Sequence, residues 1–415
     1  MPKNTLTIPA LADVTKDISG PLPAGLLDEW AGSGQRTHDA ASVLLAPYRR
    51  EGIVVCSDTA GLTRMTQERD LLDVLWLVAG PMQVLFAVGS SVGGRAVGTW
   101  EADNTEMFYP AEVGADAVVD AMLEAQARIA ERTKVRVGLC IHSGVFYEIG
   151  GGLFGGDAQL VEELAENHAA GGETLATDEL VKRLSPGHAL ERRADLDEHH
   201  AAGVFSVRSA ASARAASLRE VDALYPHPFP PAFFSMLQDP VRRAAAASSE
   251  SAGARMEERH VVFVARKGAT RSQNDLALVL DELLANDAMR EIVSDELRGT
   301  GELVETTGGL AIVVFTNGAE AVDYARAVRT QFVAREMAVS IGIDCGPVLL
   351  FEKVLGRSGT CAGDPINLSS KISEDLGEAG KIRVTERAAQ GIAGLSSAEH
   401  FEAVISAVTI RGVIL

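Results

Sequence analysis

The sequence predicts a mixed α/β protein in which one structural unit occurs twice, and three observations carry that expectation. Its 415 residues are enough for two domains that each bury a core. The stretch Gly363-Asp364-Pro365-Ile366-Asn367-Leu368-Ser369-Ser370-Lys371 has an earlier counterpart, Gly156-Asp157-Ala158-Gln159-Leu160-Val161-Glu162-Glu163-Leu164, which opens on the same Gly-Asp pair. Around each stretch, strand and helix patterns follow in the same order, about 207 residues apart.

Residues 1–48 mix Pro, Gly and polar residues, with one short helix expected at 26–30. The β-branched run Gly52-Ile53-Val54-Val55-Cys56 reads as a buried strand that runs out at Ser57-Asp58-Thr59-Ala60-Gly61. An apolar helix is expected over 67–88. Asp73, Pro81 and Gln83 interrupt the apolar stretch there, which suits a buried helix better than a membrane span. Paired strands at 96–100 and 106–109 put Ala102-Asp103-Asn104 at a hairpin turn. Val118, Val119, Met122 and Ile129 recur at helical spacing within 115–132, and residues 135–141 alternate as a strand before a turn at Ser143-Gly144-Val145. A helix at 158–169 and a strand at 203–207 close the first unit. Residues 209–258 are rich in Ala, Ser and Arg and read as a linker whose aromatic part, 225–231, docks. The second unit repeats the order. It has a strand at 260–264, a helix at 274–286, strands at 302–305 and 311–315 about Gly308-Gly309, a helix at 319–335, and strands at 338–343 and 408–414. The expected division is an extension over 1–49, domains over 50–208 and 260–415, and a linker over 209–259.

A net charge of -19 opposes attraction to nucleic acid or anionic membranes, so neither partner is expected. Cys56, Cys140, Cys345 and Cys361 form no CxxC pair and read as reduced thiols. No apolar signal core follows the first residues, and a cytoplasmic protein is expected. His142 and Cys140 read as packed strand residues, His199-His200 as too isolated for a metal site. The glycine-rich residues 150–156 lack the Lys-Ser/Thr of a Walker loop.

Asn367 and Lys371 lie four residues apart, on one helical face. An Asn amide orients a ribose or phosphate oxygen, and a cation one turn on neutralises charge on a phosphoryl group. Leu160 and Leu164 hold the same places in the first unit. The two copies of the unit are differently armed.

Four motifs in order resemble the class III nucleotidyl cyclase family, present twice. Asp58-Thr59-Ala60-Gly61-Leu62-Thr63 matches the family's first-strand motif from its aspartate onward. Thr99-Trp100-Glu101-Ala102-Asp103 keeps the aspartate of the hairpin motif, whereas Glu305-Thr306-Thr307-Gly308-Gly309 keeps most of the rest. Residues 363–371 meet the Asn motif with Lys in place of Arg, and Arg411-Gly412 meets the last-strand motif. The resemblance implies an α/β (α+β) fold of two ferredoxin-like domains paired head to tail, with sites formed between domains. One site would take the metal ligands Asp58 and Asp103 for two Mg²⁺ or Mn²⁺ ions. The same site would take Glu305 and Thr360 for the base, Asn367 for the ribose, Lys371 for the α-phosphate and Arg411 for the outer phosphates. The other would receive Ala265 and Gly309 opposite Thr99, Leu153, Leu160 and Leu164, and is expected to be a pseudosite.

The implied substrate is a nucleoside triphosphate. Glu305 favours GTP over ATP, because a carboxylate accepts from the N1 and N2 donors of guanine. Pairing of units within one chain is expected, with a homodimer left open. Lys371 keeps a second reading alive, a weak or inactive cyclase-like protein that binds nucleotide as a regulatory module, because Lys gives a point charge where Arg gives a planar fork.

Overall fold

The computed structural model describes residues 22–23, 25–98, 100, 104–196, 203–208, 221–227, 229–241, 243, 253–267, 276–307, 309–351, 361–395, 397–405 and 408–415. They form two compact units. Unit 1 comprises residues 1–60, 75–228 and 272–280; unit 2 comprises 61–74, 229–271 and 281–415.

Unit 1 begins with α1 (Leu26–Gly32) and α2 (His38–Leu45), the latter capped by Thr37, whose side chain accepts from the Ala40 N–H. Its sheet is built from β1 (Arg49–Thr59), β2 (Arg95–Val97), β3 (Thr105–Pro110), β4 (Val137–Ile149), β5 (Gly152–Phe154), β6 (Thr174–Thr177), β7 (Ala189–Arg192) and β8 (Val204–Arg208). The strand order is β2-β3-β1-β4-β6-β8-β7, with β5 folded back on β4. Only β4 and β6 run parallel.

The helix expected over 67–88 is two helices, α3 (Leu62–Glu68) in unit 2 and α4 (Leu71–Ser91), most of which lies in unit 1. The break falls at Arg69-Asp70, where the Arg69 backbone turns extended. Among the described residues, α4 is the helix long and apolar enough to cross a membrane, but 61% of its most apolar window is buried here. Val74, Val78, Met82, Leu85 and Val88 are buried, so α4 serves as a core helix in this structure. Next come α5 (Ala115–Arg132), α6 (Gly156–Asn167) and the short α7 (Asp178–Val181). The bounds of α5 are those the periodicity predicts.

The strand β4 continues through Ser143-Gly144-Val145, where a turn was expected. Gly144 is required by proximity rather than by bending, because a Cβ there would collide with the carboxylate of Asp157 and the ring of His142. The docking of the linker's aromatic part is seen in unit 1. The Gln83 amide donates to Ala223 O at 2.8 Å and accepts from the Tyr225 N–H at 3.3 Å, and Tyr225 stacks on Trp100.

Unit 2 repeats this plan with β9 (Ala254–Arg266), β10 (Glu302–Thr307), β11 (Leu310–Phe315), β12 (Val339–Phe351), β13 (Cys361–Ala362), β14 (Ile382–Thr385), β15 (Glu399–Ile405) and β16 (Val408–Ile414). Their order is β10-β11-β9-β12-β14-β16-β15, with β13 on β12. The linker contributes α8 (Pro231–Gln238), whose Phe233 packs edge-on against Phe351 at 4.8 Å between centroids. The remaining helices are α9 (Leu276–Asp295), α10 (Gly318–Ala334), α11 (Asp364–Glu374) and α12 (Glu386–Ala389). Asn317 caps α10 by accepting from the N–H groups of Ala319 and Glu320, which is worth about 1 kcal/mol.

Strand alternation divides each sheet into two faces. In unit 2, Val262, Val264, Ala311, Val313 and Ile341 pack with Met289, Val328 and Phe332 of α9 and α10. Val261, Phe263, Ala265 and Ile312 point the other way, toward Ile366 of α11. In unit 1, Val54, Cys56, Phe108 and Cys140 meet Val161 and Leu164 of α6 in the same manner.

Candidate functional site

Alternation settles where each expected site residue lies. Asp58 follows Val54 and Cys56 in register, so it shares their α6-facing side of unit 1, half-buried and opposite Gly138. Asp103, Thr99 and Thr360 lie outside the described residues, as do Gly308 and His199-His200.

Glu305 reaches the α11 face of unit 2 by an irregularity. Leu303 packs with the α9–α10 core, so simple alternation would send Glu305 into that core as well. A β-bulge between Leu303 and Glu305 inserts Val304, pairs Glu305 with Ile312 and re-aims the carboxylate to the α11 side, where it is 3% exposed. The register also corrects one correspondence between the units. Val97, paired with Glu106 as Glu305 is with Ile312, occupies the place of Glu305, where Thr99 was expected.

On α11, Leu368 and Ile372 face the sheet, and Asn367 and Lys371 lie beside that stripe, half-buried. The Asn367 amide donates to Thr66 Oγ1 of α3 at 3.3 Å, a contact within unit 2. Lys371 lies 3.6 Å from Asp375, both side chains a third or more exposed. Such an exposed pair contributes little to stability.

Arg411 is elsewhere. Its neighbour Ile410 packs with Leu368 and Ile372 under α11, whereas Val413 packs with the α10 core, so Arg411 points to the face away from α11. Its guanidinium donates to Glu402 at 2.7 Å across the β15–β16 pair, and that bond raises its pKa. The last-strand motif therefore matches in sequence without joining Glu305, Asn367 and Lys371 on one face.

Leu164, at the place of Lys371, is fully buried in unit 1, and Leu160 packs at the edge of the same cluster. Where α11 lays Ser369 and Ser373 on the sheet, α6 has Glu162 and Glu166. These glutamates line, with Cys56, Asn104 and Glu106, a cavity of about 30 Å³, room for one water. Burial, then the charge of Glu106, pushes the Cys56 thiol up in pKa. Among the described residues no group of three His, Cys, Asp or Glu is placed to hold a metal ion. The described residues alone thus supply one hard-oxygen ligand of the expected pair, Asp58.

Sequence inspection missed the network that seats both Gly-Asp starts. In unit 1 the Asp157 carboxylate accepts from the Val145 N–H at 2.6 Å and lies 3.4 Å from His142, whose other ring nitrogen meets Thr177 at 2.7 Å. Burial acts to raise the Asp157 pKa, but the bonds from His142 and Val145 outweigh it and hold the carboxyl below its usual range. In unit 2 the positions of His142 and Thr177 are held by Asp344 and Thr385, and Arg387 joins Asp344 to Asp364. A legible signal existed: a charged or ionisable residue interrupting an apolar strand, at His142 and Asp344.

No family model and no curated protein matches the sequence. Among solved structures, the chain is similar to a class III adenylyl cyclase-like ATP-binding protein from Pseudomonas aeruginosa. Identity is 15%, coverage 82% of this chain and 84% of that one, and TM-score 0.47. It is also similar to the adenylyl cyclase CyaB from P. aeruginosa, at 14% identity over 40% of this chain and 96% of that one, TM-score 0.35. A third is the guanylate cyclase domain of RhGC from Catenaria anguillulae in complex with GTP, at 18% identity over 39% and 97%, TM-score 0.28.

Proposed function

We propose that the chain binds a purine nucleoside triphosphate and converts it to a 3′,5′-cyclic nucleotide and pyrophosphate, with GTP preferred. The observation that carries this reading is the shared face of Glu305, Asn367 and Lys371 in unit 2, set against the leucines at the α11 pair's places in unit 1.

Glu305, withdrawn from water, accepts from N1 and N2 of guanine. Asn367 orients the ribose so that its 3′ oxygen faces the α-phosphorus, and Lys371 offsets charge gathering on the α-phosphate. The 3′ oxygen–phosphorus bond forms, the bond to pyrophosphate breaks, and the 3′ proton passes to solvent. Asp58 and Asp103 would hold the divalent ions, which when bound stabilise the attacking and leaving oxygens.

Incubation of the purified chain with GTP or ATP and Mn²⁺ tests the proposal. Cyclic nucleotide is expected, more from GTP than from ATP; none from either overturns the enzyme reading. Nucleotide binding without turnover favours the regulatory-module reading, for which the specific observation is Lys371 at the place of an arginine. Lys371→Arg is expected to preserve or raise turnover, since a fork holds two phosphate oxygens where a point charge holds one. A fall in rate means a site built for lysine.

A further inference from the structure

In unit 2 the Gly-Asp start of α11 is tied to the sheet by a bridge of three charges. Asp344, on β12, is fully buried. Arg387, on α12, donates through Nε to Asp344 Oδ1 at 2.7 Å and through Nη2 to Asp344 Oδ2, and the same Nη2 reaches Asp364 Oδ2 at 2.6 Å. The Thr385 hydroxyl donates to Asp344 as well. Burial works against the Arg387 charge, but the bonds to Asp344 and Asp364 outweigh it and raise its pKa.

The rest of the α11 seat mixes the apolar contacts of Leu368 and Ile372 with small side chains. Ser369 and Ser373 lie buried against the sheet, and a Cβ on Gly342 would strike Ser369 O. Small side chains permit close approach yet interlock weakly, so they do little to stop the helix turning about its axis. Gly363, before the first turn, has no side chain to cap it. A charged fork adds direction at the start of the helix, where Gly363 and Asp364 offer the sheet no apolar side chain. Asp364 stands one turn ahead of Asn367 and two ahead of Lys371, on the same side of the helix.

We infer that Arg387 is a positioning residue: by bridging Asp344 of the sheet to Asp364 of α11 it fixes the rotation of that helix and so aims Asn367 and Lys371. The bridge itself is independent of the nucleotide reading; its effect on ligand rests on that reading. Unit 1 solves the same problem without an arginine, since Glu179 stands at the place of Arg387 and Asp157 meets His142 directly.

Two variants of the full chain separate the possibilities. Asp364→Asn leaves the Asp344–Arg387 pair in place and so spares the fold, and Arg387→Lys keeps the charge while losing the fork. Amide hydrogen exchange is expected to accelerate on the order of tenfold in α11 in both variants, with β14 and α10 unchanged. Unchanged exchange in α11 overturns the bridge. Affinity for GTP with Mn²⁺ is expected to fall on the order of 10- to 100-fold in both, because small misplacements of positioning groups are costly. Affinity within twofold of the parent, with exchange accelerated, overturns the aiming role. If the parent chain binds no nucleotide, the functional proposal fails, while the exchange result still decides the bridge.

Discussion

α6 and α11 start from the same Gly-Asp pair, lie on equivalent sheet faces and are anchored at equivalent strand positions, yet one is a core helix and the other carries the candidate site. The difference is concentrated in two places. Leu164 is wholly inside the unit 1 cluster, whereas Lys371 keeps a third of its side chain exposed. Leu160 seals the edge of that cluster, whereas Asn367 spends its amide on Thr66. A duplicated frame can thus divide labour without changing its topology. The copy with Leu160 and Leu164 gains apolar burial, and the copy with Asn367 and Lys371 gives up some of that stabilisation.

Exchange of the two side chains is the strongest way to break this comparison. Leu164→Lys is expected to cost about 3–5 kcal/mol, since it puts an unpaired ammonium into an apolar cluster. Lys371→Leu is expected to cost less than Leu164→Lys, since Lys371 keeps a third of its side chain exposed, while abolishing any nucleotide affinity. Urea midpoints at constant slope measure both. Equal costs at the two positions would mean that the helices do not differ in role.

A smaller effect separates the anchors. Because the Asp157 pKa is lowered on folding, its contribution to stability is present above the unfolded value, about 3.9, and is lost as pH falls through the lower folded value. The stability gap between the parent chain and Asp157→Asn should therefore be largest near pH 6 and shrink below about pH 4. In unit 2 burial raises the Asp344 pKa against the pull of Arg387, the opposite direction, so a variant there should not share that profile. A gap for Asp157→Asn that grows on acidification would refute the assignment.

Much of the fold was legible. The helical spacing of α5 and the alternation of β16 return their bounds directly, and the repeated Gly-Asp locates both α6 and α11. The short strands β6, β7, β13 and β14 were not legible, because two to four residues carry too weak a period. Gly144 misled because a glycine that permits close approach and one that permits a turn look alike in sequence. For the site, spacing put Asn367 and Lys371 on one helix face. It gave no means of telling that Arg411 points to the opposite side of the sheet, since facing is set by strand register, which pairs residues distant in sequence. Arg387 escaped notice for the same reason, since its partner Asp344 is 43 residues away in the sequence.

The extra residue at Val304 bears on how the two halves are to be aligned. Beyond a bulge, the odd–even rule that assigns strand residues to faces changes phase. A residue-by-residue match of β10 to β2 carried across Val304 therefore compares inward positions with outward ones, and it hides Val97 as the counterpart of Glu305. The same count makes β10 sensitive to length as well as to composition. Removing one residue would return the carboxylate at Glu305 to the opposite face with every side chain left chemically intact, a change invisible to any measure that scores substitutions alone.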